Sequence, residues 1–400
     1  MEMGKMQRAT SAANAFCDRL WGRGSDMADQ MHSLPRVGRF ADRTIDARTY
    51  TDPNVLAMEV QAVFRQSWIA AVPSWKLRGP NRYATLSESG IDIVVTRDAN
   101  GTLAAFHNRC LHRGSRIVHG CGKAKELKCG YHGWVFGLEG RLIHAPASDG
   151  FGGVDVHGMR LISVPVREFG GLIWVNLSDQ PRDFSDSLCG IDAELEPYGL
   201  SEMEPIEERV FSIPVNWKVM LENAFDYYHV SEVHGQTIHA HVKTRPEMAL
   251  YGDHVRQNVH IAPYTWRSLI DRRCSRGGPY TAKQVSQLYK YTLFPNTMLN
   301  VLPYHLTVMR FWPDGVGGTR LHYAFCKRTG ARGLEWARAH ATWVASRIIL
   351  AEDVRMLLRC QTHPDSQAVQ HHILHDQEAA AIHLHETLER WKGRGADASG

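Results

Sequence analysis

Four side chains in the stretch CLHRGSRIVHGCGKAKELKCGYHGW restrict this chain more than any other feature. Cys110 and His112 form one close pair, Cys129 and His132 a second, and sixteen residues separate the two. Two thiolates and two imidazoles delivered in this way form a metal site by default. Structural zinc sites usually keep like with like, as C-x2-C followed by H-x3-H. Here each pair is mixed. A two-iron cluster in which one iron takes both cysteines and the other both histidines needs one ligand of each kind from each of two facing loops. C-x-H followed by C-x2-H supplies them, and Gly114, Gly130 and Gly133 let backbone amides approach bridging sulfides closely. A four-ligand zinc site is the competing reading.

The surrounding pattern has period two. IDIVVTRDANGTLAAF reads as strand, turn and strand, with Asn100 and Gly101 supplying positive backbone angles for a tight hairpin. WVFGLEGRLIHAP repeats the device around Gly137 and Gly140, so both Cys/His pairs fall at loop tips between hairpins. Upstream, Val55 to Trp68 carries apolar residues at helical spacing, and GGLIWVNLS is a further strand. Beyond about residue 180 longer helical segments mix with strands. Leu334 to Gln361 is a long helix candidate in which Trp336, Trp343, Leu350 and Leu357 recur every seven residues as one apolar stripe.

A second constellation lies in NWKVMLENAFDYYHVSEVH. Asp226 and His229 are three residues apart and share a helix face, whereas His234 points about 140° away in a regular helix. Both histidines reach one metal only if the helix ends or bulges between them. Two imidazoles and one carboxylate on an octahedral face, with positions left open, make a non-haem Fe(II) site. RIILAEDVRMLLRCQ is the candidate source of the carboxylate. On the helical wheel Asp353 flanks the apolar stripe and Glu352 falls on the opposite side. A core-facing carboxylate is costly unless paired or metal-bound, which favours Asp353 as ligand over a buried salt bridge. Asn223, one turn before Asp226, is placed either for an outer hydrogen bond or as a helix-surface amide.

Four hundred residues predict two domains. A net charge of +4 with no run of five Lys or Arg does not support nucleic-acid or membrane binding, so the expected partner is a small molecule. Eight scattered cysteines and the lack of an apolar signal region predict a soluble protein of a reducing cytoplasm.

NRCLHRG and CGYHGW, followed by NWK, EN, D-x2-H-x4-H and the C-terminal ED, resemble the motifs of the Rieske non-haem iron oxygenases, catalytic (alpha) subunits of the aromatic-ring-hydroxylating type. The resemblance covers roughly residues 45 to 380. It implies an α+β fold, with an all-β Rieske domain inserted in a helix-grip, START-like α/β catalytic domain built on a twisted antiparallel sheet. The expected division is an N-terminal arm over 1–45, a Rieske domain over 46–165, a catalytic domain over 166–385 and a disordered tail over 386–400. It implies a [2Fe-2S] Rieske cluster on Cys110, His112, Cys129 and His132, a mononuclear Fe(II) on His229, His234 and Asp353, and O2 as co-substrate. Asp226 would bridge His229 to His132 of a neighbouring subunit in a trimer or a multiple of it. No flavin, nicotinamide or plant-type ferredoxin fingerprint is present in the sequence, so a separate reductase is implied as electron donor, with or without a ferredoxin, and a small beta subunit is a further option. The implied reaction is hydroxylation, as mono- or cis-dihydroxylation, or demethylation. An Asp at position 226 resembles the aromatic-ring enzymes and points to an aromatic substrate. The alternatives are a quaternary ammonium substrate of the betaine, carnitine or choline kind, whose oxygenases often carry Glu there, and a Rieske electron carrier with an inactive second domain. Arg245 and Arg310 are candidates either to hold a substrate carboxylate or to form structural ion pairs.

Overall fold

The computed structural model describes residues 43–239, 246–261, 273, 281–360 and 369–397. The expected N-terminal arm falls almost wholly outside these residues, as does Arg245. The chain forms two compact units. One is Met58–Glu202, and the other joins the chain before Met58 to that from Met203 onward. The first therefore interrupts the second in sequence, as an inserted domain does.

The division does not fall at the expected residue. Strand Leu172–Val175 pairs with Ile69–Pro73 on one side and with Val166–Phe169 on the other, so the segment after 165 belongs to the inserted unit. The expected tail also differs, because a helix covers Ala379–Asp397. Its apolar residues Ile382, Leu384 and Leu388 are buried, and that burial, hidden in the charged composition, holds it.

The inserted unit is built of small antiparallel sheets. Leu103–His107, Ile91–Arg97, Arg82–Glu88 and Cys121–Lys123 lie side by side in that order, and Glu126–Lys128, Val135–Gly137 and Leu142–His144 form another. Val94, Phe106, Leu127, Trp134 and Phe136 fill the space between, with Cys110 and Cys129 against them. The hairpin at Asn100-Gly101 is wider than expected. Only Gly101 has positive φ, and the loop is closed by Asp98, whose Oδ1 accepts from the Asn100 and Thr102 amides at 2.9 and 2.8 Å. An Asx turn has taken the place of a two-residue turn.

The second unit carries a seven-stranded antiparallel sheet. Its strands are β1 (Met203–Ile213), β2 (Glu247–Tyr251), β3 (His254–His260), β4 (Gln287–Leu293), β5 (Thr297–Leu302), β6 (His305–Pro313) and β7 (Thr319–Arg328), in the order β1-β7-β6-β5-β4-β3-β2. Helix α1 (Trp217–Phe225) starts at Asn216, whose side chain accepts from the Lys218 amide at 2.9 Å, and buries Trp217, Met220, Leu221 and Phe225. A single helical turn, α2 (Val230–Val233), follows. The long helix α3 (Gly333–Cys360) packs on α1, α2, β1 and β7. Its stripe holds at Leu357, which is buried, and fails at Trp336, which is 48% exposed because Arg338, Ala339 and Thr342 take the inward face there. No helix among the described residues is long and apolar enough to cross a membrane.

Candidate metal centres and the cavity between helix and sheet

The two Cys/His loops of the inserted unit repeat one local design. The Gly114 amide donates to the Cys110 carbonyl at 2.8 Å and the Gly133 amide to the Cys129 carbonyl at 3.1 Å. Gly114 and Gly133 have φ of 68° and 72°, a left-handed turn that glycine adopts freely. Each turn folds a cysteine inward and sends a histidine outward. Cys110 and Cys129 are buried and interact with each other, and burial pushes the Cys110 thiol up. His112 and His132 meet at 3.1 Å between their Nδ1 atoms, and His112 stacks on Trp134.

A tetrahedral zinc, with bonds of about 2.0–2.3 Å, would bring all four donors within about 3.8 Å of one another. No three of these donor atoms lie within 4.8 Å of one another. They form two separate pairs, sulfur with sulfur and nitrogen with nitrogen. That arrangement suits two irons and not one zinc.

A clamp absent from the sequence reading fixes the first loop. Asp92, buried in the strand Ile91–Arg97, accepts from Arg116 Nε at 2.8 Å and pairs with Arg109 at 3.1 Å. Asn108 Nδ2 also donates to it, while Asn108 Oδ1 accepts from the Ile117 and Val118 amides. Both ends of the Cys110–Gly114 turn are thus tied to one strand. An acid among apolar residues in IDIVV was the available signal.

In the second unit the helix break required by the His229–His234 spacing exists, but it begins earlier than the pair. Helix α1 ends at Phe225, and Asp226 is extended at φ −72° and ψ 137°, so Asp226 and His229 do not share a helix face. Asp226 instead closes a turn, with Oδ1 accepting from the Tyr228 amide at 2.6 Å and Oδ2 lying 2.8 Å from His229 Nδ1. His229 and His234 then flank the one turn of α2, with ring centroids 5.2 Å apart.

Helix α3 supplies carboxylates to both nitrogens of His234. Asp353 Oδ1 lies 2.9 Å from His234 Nε2 and 3.5 Å from His229 Nε2, and Glu352 Oε2 lies 2.8 Å from His234 Nδ1. Glu352 also accepts from Thr237 at 2.9 Å. The expectation that Glu352 faces away is therefore corrected: the imidazole sits between two consecutive residues of α3, and the 100° step between them is what lets each reach one ring nitrogen. Asn223 bonds to Asp353.

Donor atoms of His229, His234 and Asp353 lie within 4.8 Å of one another, the one such group of three among the described residues. Both Nδ1 atoms are engaged by carboxylates and both Nε2 atoms face Asp353, so the free lone pairs converge. This donor set fits a divalent iron. Without a metal the cluster takes up protons. Burial opposes charge on His234, but Asp353 and Glu352 outweigh it and raise its pKa to about 9; His229 is raised in the same sense by Asp226 and Asp353. Burial likewise pushes Asp353 up, yet its bonds to His229, His234 and Asn223 prevail and hold it at about 2.

The three donors open onto a cavity of about 230 Å³ between α1, α3 and the sheet. Leu302, Met309, Phe311, Tyr323 and Ile349 give it apolar walls, as expected for the cofactor-proximal pocket of a small organic ligand. Within YHLTVMRFW the alternation turns His305, Thr307, Met309 and Phe311 to the cavity. Arg310 is not among the lining residues and lies 3.3 Å from His322, so its candidacy for a substrate carboxylate fails on strand period. The cation that does line the cavity is Lys290 of β4, which burial pushes down to about 8. A lysine within the otherwise uncharged strand QLYKYTL was the overlooked signal.

Fold and donor geometry define a protein with a two-iron cluster domain and a mononuclear facial-triad domain in one chain. Residues 67–165 match the family model of the Rieske [2Fe-2S] domain, and residues 200–393 match that of the ring hydroxylating alpha subunit, catalytic domain. The chain belongs to the Rieske oxygenase alpha subunits. It is 31% identical over 231 residues to the glycine betaine monooxygenase oxygenase subunit of Chromohalobacter salexigens, covering 57% of this chain and 50% of that one. It is 34% identical over 197 residues to the carnitine monooxygenase oxygenase subunit of Escherichia coli, covering 48% and 52%. The chain thus spans about half the length of the relatives it matches. A solved quaternary ammonium Rieske monooxygenase bound to L-carnitine has the same fold at TM-score 0.73 and 23% identity, over 86% of this chain and 95% of that one. Naphthalene 1,2-dioxygenase from Rhodococcus sp. does so at TM-score 0.72 and 17% identity, over 88% and 95%.

Proposed function

We propose that this chain is a terminal oxygenase that uses O2 and electrons from a separate reductase, with or without a ferredoxin, to hydroxylate or demethylate a quaternary ammonium compound. The carrying observation is the convergence of His229, His234 and Asp353 on an apolar cavity, in a chain whose other unit pairs Cys110 with Cys129 and His112 with His132. An electron carrier has no use for such a cavity. Iron held by the triad supplies dioxygen activation, and a [2Fe-2S] cluster on the Cys/His pairs supplies electrons.

The substrate class departs from the aromatic one that Asp226 suggested. Glycine betaine, carnitine and choline monooxygenases are among the relatives with sequence similarity, and they support the quaternary ammonium alternative. Asp226 reaches His229 at 2.8 Å, so the shorter acid does this work without an added methylene. Asp226 and Glu352 orient the two imidazoles, Asn223 steadies Asp353, and the apolar walls exclude water. In a trimer, Asp226 would also accept from the cluster-bound histidine of a neighbour and so shorten the electron route.

The test is turnover of the cluster- and iron-loaded protein with a reductase and labelled O2. Glycine betaine, carnitine and choline are offered beside aromatic acids and hydrocarbons. Label is expected in products of the quaternary ammonium group. Label in aromatic products alone would refute the substrate class, and cluster reduction with no labelled product at all would refute the oxygenase reading.

A further inference from the structure

Strands β3 to β7 lie side by side, and their register sets Gln257, Lys290, Asn300, Thr307 and Phe325 in one row across the sheet. Directly opposed residues on neighbouring strands share a face, and Lys290, Asn300, Thr307 and Phe325 all line the cavity. Three of these four are polar in a cavity that is otherwise mostly apolar. Lys290 Nζ donates to the main-chain oxygen of Ala224 and lies 4.9 Å from the centroid of the Tyr227 ring. Asp226 and Asp353 act on it only through space, and both are bonded to the histidines. An ammonium has three donors, so one bond to a carbonyl leaves it under-used in a low-dielectric site. Beside it, Asn300 Oδ1 is buried with no hydrogen-bond partner among the described residues. A buried cation with unused donors is answered by an anion, and the Asn300 amide, rotated half a turn so that Nδ2 takes the place of the orphaned Oδ1, adds a donor on the adjacent strand.

We propose that Lys290 and Asn300 form the seat for a carboxylate of the substrate, so that the cavity takes quaternary ammonium acids and discriminates against the corresponding alcohols. The carboxylate answers the ammonium, and the Asn300 amide turns to donate its N–H to the second oxygen. A quaternary ammonium alcohol brings a second positive charge into the same enclosure and no anion to balance Lys290, which is repulsive at this dielectric. The inference rests on the oxygenase reading above but not on the quaternary ammonium end of the ligand.

The experiment is calorimetric titration of the cluster- and iron-loaded protein with two matched pairs, glycine betaine against choline and benzoate against benzyl alcohol. In each pair that binds, the carboxylate is expected to bind about 10- to 100-fold tighter, the range of a charge-assisted hydrogen bond. Lys290→Met should erase the preference, Lys290→Arg should keep most of it, and Asn300→Asp should turn it toward choline by placing an anion beside the ammonium. Choline binding as tightly as glycine betaine, or a preference that survives Lys290→Met, would overturn the carboxylate seat while leaving the quaternary ammonium reading intact. A Lys290-dependent preference for benzoate, with neither betaine nor choline bound, would sustain the seat and overturn that reading instead.

Discussion

Glu352 grips the far nitrogen of His234 through the 2.8 Å contact to Nδ1, and its loss leaves that N–H without its acceptor and the Thr237 hydroxyl with the His234 carbonyl alone, at 3.3 Å. Outer-sphere carboxylates of this kind are worth about 10- to 100-fold in metal affinity. Glu352→Ala is expected to lower Fe(II) affinity by that amount with the cluster spectrum unchanged, as read by competition with a metallochromic chelator. Asp226→Asn keeps size but loses charge and one acceptor; it should hold both metals and a reducible cluster, and make little product in a single turnover from pre-reduced protein. Normal product yield there would remove Asp226 from the electron route. The protonation of His234 gives a third expectation. In the metal-free protein it keeps its proton up to about pH 9, and a metal needs that lone pair, so iron displaces the proton. Iron affinity should therefore fall as pH drops below about 9, by about tenfold per unit while that one proton competes. Proton release on titrating apoprotein with Fe(II) near neutral pH measures it.

At the scale of elements, α2 is one turn long and owes its shape to its ends. The Val233 and His234 amides bond to the His229 and Val230 carbonyls, and a Cβ at Gly235 would meet the Ser231 carbonyl at 2.8 Å. Gly235→Ala must shift that turn and with it His234. Loss of iron at full cluster content is expected, with a fall of roughly 1–3 kcal/mol in stability from the overpacking, checked by iron analysis and thermal melting. The D-x2-H-x4-H spacing already said that a straight helix could not carry both histidines. Where the helix stopped was not legible, because the decision belongs to the Asp226 side chain, which bonds to the Tyr228 amide and pulls the backbone into an extended conformation. Helix α3 was legible in length and in Asp353. Glu352 was misplaced because the wheel left room for one inward carboxylate, whereas His234 sits between the two and each reaches one of its ring nitrogens.

For the whole molecule, the two metal-binding units are each compact and each have their own core. Cys110→Ser should abolish the cluster and its colour yet leave one Fe(II) per chain at the mononuclear site, by spectroscopy and metal analysis; an unchanged Rieske paramagnetic signal would show the ligand assignment to be wrong. Insertion of one unit in the other was implied by the family resemblance alone, since Cys/His loops that precede the histidines fit two domains in tandem equally well. The boundary was not legible, because GGLIWVNLS reads equally well as a strand of either unit until the partner of Leu172–Val175, Ile69–Pro73, is seen. The cation facing the cavity was the least legible, since the pleat turns Lys290 and not Arg310 toward it.

The metal donors come from helices and the turns between them, whereas the row through Lys290, Asn300, Thr307 and Phe325 comes from strands alone. The iron donors and the proposed carboxylate seat thus lie in separate parts of the chain. On the proposed reading, a mutational library confined to the cavity-facing positions of β4 to β7 changes which ligands bind and leaves iron content unchanged.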